Sequence, residues 1–279
     1  MKSWEELTIA DDFLFQKVMQ NEDICKKLLE KILKKKIKAI HYHINEKQIK
    51  LTPDKKSVRL DIFVETLDGI IIDIEMQTSN KSVDWLPKRS RYYQAMIDLN
   101  TLAKGESYKN LQESYVIFIC TFDPFGKSQK VYTFTNRCHE EELELNDKET
   151  KIFLNSKGTK GDIDEDTESF LNYIESGKVK GNFVEEVAKE VEKLKAHDAL
   201  KVEYMSFSAA LADERDEGRE EGRKEGRKEG LNEGAFTSNL HSIKSIMESF
   251  KVPLDKAMDV IKIPKAEQAK YRAKILAAE

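Results

Sequence analysis

The chain has 279 residues, 39% of them hydrophobic and 35% charged, with a formal net charge of −4. Those proportions exclude a wholly disordered chain and leave room for one sizeable core plus a smaller region. The charge is uneven: residues 1–136 carry 22 Lys and Arg against 19 Asp and Glu, and the remainder 25 against 32, so nucleic-acid affinity belongs to a local basic surface of the first half.

Cysteines 25, 120 and 138 form no CxxC pair, which points away from structural zinc and toward a reducing compartment. The opening MKSWEELTIADDF lacks the apolar run of a signal peptide, and no stretch is apolar for long enough to span a bilayer. A cytoplasmic protein without a membrane partner is expected.

Residues 11 to 35 place Phe13, Leu14, Val18, Met19, Ile24, Leu28, Leu29, Ile32 and Leu33 at helical spacing, which predicts one or two amphipathic helices. Segments 38–51, 58–66 and 70–77 follow as strands, separated by turn signals at Thr52-Pro53-Asp54 and Asp68-Gly69. Trp85 to Lys104 returns to a helical pattern, Ser114 to Thr121 reads as a fully buried strand, and Lys130 to Thr135 as another. The order helix, three strands, helix, two strands describes an α/β sheet flanked by helices, with at least one crossover. Residues 1–140 are the expected core. Beyond them, 141–213 reads as loops around a short strand at Ile152 to Leu154 and one long helix over 183–213, which complete or extend it.

From Glu217 to Gly234 the sequence repeats every four residues as EGRE, EGRK, EGRK, EGLN, EG. Each glycine costs a helix about 1 kcal/mol relative to alanine, and each Glu–Lys pair returns only a few tenths. A flexible charged linker over 214–236 is the simpler reading. A charged helix whose glycine stripe pairs two copies into a homo-oligomer is the alternative. Residues 237–279 read as a small helical region.

Chemistry concentrates in the hairpin formed by Val58 to Glu65 and Ile70 to Gln77. A two-residue loop at Asp68-Gly69 would leave Asp61 and Glu75 on opposite faces. A three-residue loop, Leu67-Asp68-Gly69, pairs Thr66 with Ile70 and so sets Asp61 opposite Glu75, with Gly69 suited to the left-handed position. Opposed carboxylates repel one another unless a cation compensates, and Mg²⁺ takes such oxygen ligands while leaving room for phosphate oxygens. Asp73 and Gln77 share the face of Glu75 by the period of two. The ordinary alternative is a solvated hairpin face with the acids paired to a nearby cation, but the apolar bulk of both strands argues against it.

These residues resemble the PD-(D/E)XK nuclease superfamily and, within it, the Rpn family of recombination-promoting, transposase-like nucleases. The resemblance covers roughly residues 5 to 136 and continues in the EGR repeat. It implies a restriction-endonuclease-like αβββαβ core, Mg²⁺-dependent endonucleolytic cleavage of DNA, and a bacterial origin. On that resemblance Asp61 takes the place of the motif's Asp, Glu75 that of its Asp/Glu and Gln77 that of its Lys, while Asp12 matches an acidic position on the first helix and offers a further metal ligand. Leu60 replaces the proline, a minor departure. Gln77 matters more, since an amide lacks the charge that lysine brings to the water and phosphate. A catalytically weak or inactive DNA-binding or oligomeric interaction protein on the nuclease fold is therefore the rival reading.

On the helix after the hairpin, Lys88, Arg89, Arg91, Tyr92 and Tyr93 form a second motif. Lys88 with Tyr92, and Arg89 with Tyr93, share a helix side at a spacing of four, which suits DNA backbone contacts. The plainer reading is an amphipathic helix with tyrosines in the core and arginines solvated. Three other signals take ordinary explanations: Lys34 to Lys38 complements a helix C-terminus, His41 and His43 lack further ligands, and no spacing supports a nucleophile–base pair or a phosphate-cradling loop.

Overall fold

Apolar residues recurring every three to four positions close one face of α1 (Asp12–Met19) and α2 (Glu22–Leu33), where Phe13, Leu14, Phe15, Val18, Met19, Ile24, Leu28 and Leu29 are buried. The Asn21 side chain caps α2 by accepting from the Ile24 N–H at 3.3 Å. The computed structural model describes residues 2–49 and 58–277, and the side chains of 41–49, 58, 59 and 82 are outside the description. The turn expected at Thr52-Pro53-Asp54 and the side chains of His41 and His43 fall outside it.

Among the described residues six strands follow: β1 (Ile40–Ile49), β2 (Val58–Thr66), β3 (Ile71–Gln77), β4 (Ser114–Cys120), β5 (Val131–Phe134) and β6 (Glu149–Asn155). They form one mixed sheet in the order β1-β2-β3-β4-β6-β5. The first three are antiparallel neighbours, β4 lies parallel to β3 and to β6, and β5 is antiparallel to β6. Helix α3 (Leu86–Thr101) makes the crossover from β3 to β4, with Pro87 in its first turn where no backbone donor is needed. The fold is thus the expected α/β architecture, a mixed sheet flanked by helices.

Within the sheet, one strand differs from expectation. The short strand predicted among loops at Ile152 to Leu154 is seven residues long and lies inside the sheet. Its first half is disguised by Glu149 and Lys151, which pair with each other on one face. Helices α4 (Glu165–Ser176) and α5 (Asn182–Lys195) then add Phe170, Leu171, Phe183, Val184 and Val187 to the core. Asp164 caps α4 through the Asp166 and Thr167 N–H groups at 3.0 and 3.2 Å.

The two sheet faces are packed differently. Phe63, Ile71, Val116, Phe118 and Phe153 point toward α3 and join Leu86, Met96 and Ile97. Ile62, Val64, Ile72, Ile74, Ile117 and Ile152 point the other way and are buried, on the side where α2 and α4 meet β4 and β6.

The chain divides into two units, Met1–Met205 and Ser206–Glu279. The long helix expected over 183–213 is instead broken after Lys195, and α6 (Asp198–Phe250) starts anew and carries the whole EGR tract in helical form. In the second unit, α7 (Leu254–Val260) and α8 (Lys265–Leu276) fold back to bury Ile243, Ala257, Met258, Ile263, Tyr271 and Ile275. Among the described residues no helix is long and apolar enough to cross a membrane.

Candidate active site

The β2–β3 hairpin takes the three-residue loop. Thr66 N–H donates to the Ile70 carbonyl at 3.0 Å, Gly69 N–H to the Thr66 carbonyl at 2.9 Å, and Gly69 adopts φ +79°. The ladder runs from Glu65 opposite Ile71 to Ile62 opposite Ile74. Past that point side chains replace the backbone ladder. Asp61 N–H donates to Glu75 Oε1 at 2.9 Å, and Met76 N–H donates to Asp61 Oδ2 at 3.3 Å. The two carboxylates are locked into the hairpin where the strands separate.

From α3, Arg89 reaches into this site. Its Nη2 donates to Glu75 Oε2, its Nη1 to Gln77 Oε1 at 2.8 Å, and its Nε to the Tyr93 hydroxyl at 2.8 Å. The guanidinium also lies 4.9 Å from the Tyr93 ring centroid and 5.3 Å from that of Phe118. Gln77 is engaged at both ends, since its Nε2 donates to the Ser79 carbonyl at 2.8 Å. Arg89 can only donate and a carbonyl can only accept, so these two partners fix the orientation of the amide.

Asp73 completes the acidic group. It and Glu75 are 0% exposed, and among the described residues neither Asp73 oxygen has a hydrogen-bond partner. Burial, then repulsion from Asp61, pushes the Asp73 carboxyl well above the usual carboxylate range, with Arg89 opposing. Burial also raises Glu75, followed by repulsion from Asp73 and Asp61, against the pull of Arg89. Burial alone would lower the Arg89 pKa, but Glu75 and Tyr93 raise it above its ordinary value.

The donors of this group are all carboxylate oxygens, the set that Mg²⁺ takes, and the orphaned Asp73 oxygens are the kind of buried charge that a divalent cation offsets. By charge and donor chemistry the residues fit such an ion. Among the described residues no three His, Cys, Asp or Glu side chains already form a metal cage.

The other residues singled out in the sequence are spread around this centre. Asp12 is exposed at the first position of α1, and it is Gln16, one turn later, whose Nε2 reaches Asp61 Oδ1 at 3.3 Å. Lys88 and Arg91 are exposed on α3, Tyr92 packs partly buried against the core, and Arg89 and Tyr93 turn inward to Glu75. Lys35 binds Glu113 and Tyr115, and Lys36 binds Glu30, so these two cations are engaged within the protein. Asp73 and Gln16 carried no role in the sequence reading. The period of two had placed Asp73 on the right face, whereas nothing in the sequence marked Gln16 apart from its spacing of four from Asp12.

Comparison with curated proteins and with solved structures finds no match. The model of the PD-(D/E)XK nuclease family transposases matches residues 10–223, which takes in the hairpin, α3, all six strands and the start of the EGR tract. The hairpin that sets Asp61 beside Glu75 thus lies within a match spanning most of the chain, and the chain belongs to the PD-(D/E)XK nuclease family transposases.

Proposed function

We propose that the protein is a divalent-metal-dependent endonuclease that hydrolyses DNA phosphodiesters, with Mg²⁺ as the ion. The single observation that carries this reading is the convergence of half-buried Asp61 with the buried Glu75 and Asp73 beside Arg89, Asp73 having no hydrogen-bond partner among the described residues. Asp61 and Glu75 would hold the ion, with Asp73 as a third carboxylate and Asp12 as a more distant candidate. When bound, the ion lowers the pKa of an attacking water and offsets charge on the scissile phosphate.

The remaining work falls to the chain itself. Arg89 brings to the site the positive charge that the motif's lysine would carry, on a guanidinium able to grip two phosphate oxygens. Gln77 holds Arg89 in place and keeps one amide hydrogen for orienting water. Tyr93 supports Arg89 from the other side. Lys88 and Arg91 on the exposed side of α3 are suited to gripping the DNA backbone, which positions a strand without reading its sequence. A role on mobile or foreign DNA, or in recombination, follows from the family alone.

One observation favours a second reading. Glu75 already has both oxygens occupied by the Asp61 N–H and Arg89, as in a site that has exchanged metal for an internal cation. Such a protein would bind DNA without cutting it. Plasmid nicking with Mg²⁺, comparing wild type with Asp61→Ala and Glu75→Gln, separates the two. Cleavage lost in both variants supports the nuclease. Equal nicking by all three, or none by wild type, overturns it.

A further inference from the structure

On the α3 face of the sheet, two strands away from Glu75, lies a cavity of about 390 Å³ that the hairpin site does not use. Phe125, Phe134 and Phe153 line it, with Arg91 and Lys151 beside them. Its place relative to the carboxylates follows from the sheet register. Asp73 is level with Val116, Lys151 and Phe134 on successive strands, and Glu75 with Phe118 and Phe153. Residues level with one another point to the same face, and strands lie about 4.8 Å apart, so Lys151 and Phe153 stand ~10 Å across that face from Asp73 and Glu75.

Helix α3 spans the gap. Arg89 and Tyr93 turn toward the carboxylates, while Arg91 borders the cavity. A continuous run of rings joins the two places: Tyr93 lies 6.2 Å from Phe118, and Phe118 stacks on Phe153 at 5.4 Å with 9° between the planes. Around the cavity the rings meet edge-on or tilted, Phe125 with Phe153 and with Phe134 at 5.1 Å and Phe134 with Phe153 at 5.7 Å. Phe134, on the edge strand β5, remains 44% exposed.

An ordinary core margin accounts for the rings but not for the cations. Arg91 makes no ion pair among the described residues. Lys151 is half-buried, paired to Glu149, and burial lowers its pKa although Asp147 and Asp98 raise it. With Glu149 counted, the lining keeps a net positive charge. An aromatic slot of this volume with a free guanidinium beside it has the two parts that a nucleotide needs, a ring to stack on and a charge for phosphate.

We infer that this cavity takes one unpaired nucleotide of the DNA strand, flanking the nucleotide whose phosphate lies at the carboxylates. A base enters the slot only once it has left the duplex stack, so the preferred substrate is single-stranded or locally unpaired DNA. The inference rests on the nuclease reading for the orientation of the strand, but its test does not need turnover.

In EDTA, the full-length protein is titrated with a single-stranded oligonucleotide carrying 2-aminopurine and with the same sequence fully paired. Wild type should bind the single strand more tightly and quench the probe by stacking. Phe134→Ala should weaken single-strand binding ~5- to 160-fold and abolish the quench. Phe134→Tyr, which keeps a ring, should retain both, and a far-ultraviolet spectrum of each variant reports folding. Arg91→Gln should lower the slope of log affinity against log salt by about 0.7, the share of one phosphate contact on a single strand. Single-strand binding and quenching unchanged in Phe134→Ala and Arg91→Gln would overturn the pocket, and so would equal affinity of wild type for paired and unpaired DNA. Either result leaves Asp61-dependent nicking intact, whereas failure of the nuclease reading removes the nicking first.

Discussion

With Asp73 and Glu75 buried, Asp61 half-buried beside them and Arg89 the cation bonded to Glu75, the site holds more acid than a single guanidinium neutralises. Arg89 is therefore a structural necessity as well as a candidate for phosphate contact. Arg89→Met leaves Glu75 buried without a counter-charge, and the metal-free protein should lose about 3–5 kcal/mol, measured by urea unfolding. Adding Glu75→Gln should restore part of that loss, because the charge left behind is removed. Additive losses in the double variant would show that the two residues do not act as a pair. Asp73 makes a pH-dependent contribution. Its native pKa lies above its unfolded value, so in strong acid it is neutral in both states and costs nothing. As pH rises past the ordinary aspartate range toward the raised native value, the unfolded chain releases its proton more readily, and stability falls. Asp73→Asn should flatten that fall in EDTA, because the amide carries no charge and donates to a neighbouring carboxylate. Wild type and Asp73→Asn losing stability in parallel as pH rises above the ordinary aspartate range would contradict the assignment.

The element that organises these residues is the hairpin turn. Gly69 sits at φ +79°, and a Cβ there would meet only the Gln112 side chain at 3.5 Å, an ordinary contact. The cost of Gly69→Ala is thus backbone strain alone, about 1–2 kcal/mol, read as a lower urea midpoint, with Gly69→Asn intermediate. Loop length made the hairpin legible in advance: three residues with a glycine last set the register, and the register alone brings Asp61 beside Glu75. The buried strands β3 and β4 were equally plain from their unbroken apolar runs. What stayed hidden had a physical reason in each case. Charged residues that pair within one strand, as Glu149 and Lys151 do, cancel the alternation that announces a strand. Arg89 carries the same basic character whether it faces a phosphate or a buried carboxylate, and only the packing of α3 decides. Asp73 lay on the correct face, but its lack of any hydrogen-bond partner is a property of the folded interior.

At the scale of the whole molecule, the second unit has a small core of its own around Met258 and Tyr271, where Phe236 packs on Tyr271 at 4.5 Å and Asn239 donates to the Tyr271 hydroxyl at 3.1 Å. The EGR tract precedes that core as exposed helix. Among the described residues a Cβ built on Gly218, Gly222, Gly226, Gly230 or Gly234 meets nothing within 4 Å, and the Glu220–Lys224 and Asp216–Arg219 pairs are exposed. Exposed pairs of this kind contribute a few tenths of a kcal/mol each, too little to offset five glycines at about 1 kcal/mol apiece. The tract is thus a helix held below its own best stability, and its glycines have no packing reason among the described residues. Replacing all five with alanine should raise helix content and stabilise the tract by about 1 kcal/mol per site, followed by circular dichroism on heating. Sedimentation of the same variant decides what the stripe is for. An unchanged mass leaves the glycines as a source of local fraying. A mass that falls from dimer to monomer would identify the stripe as the surface on which two copies of α6 approach, since added methyl groups would hold the backbones apart.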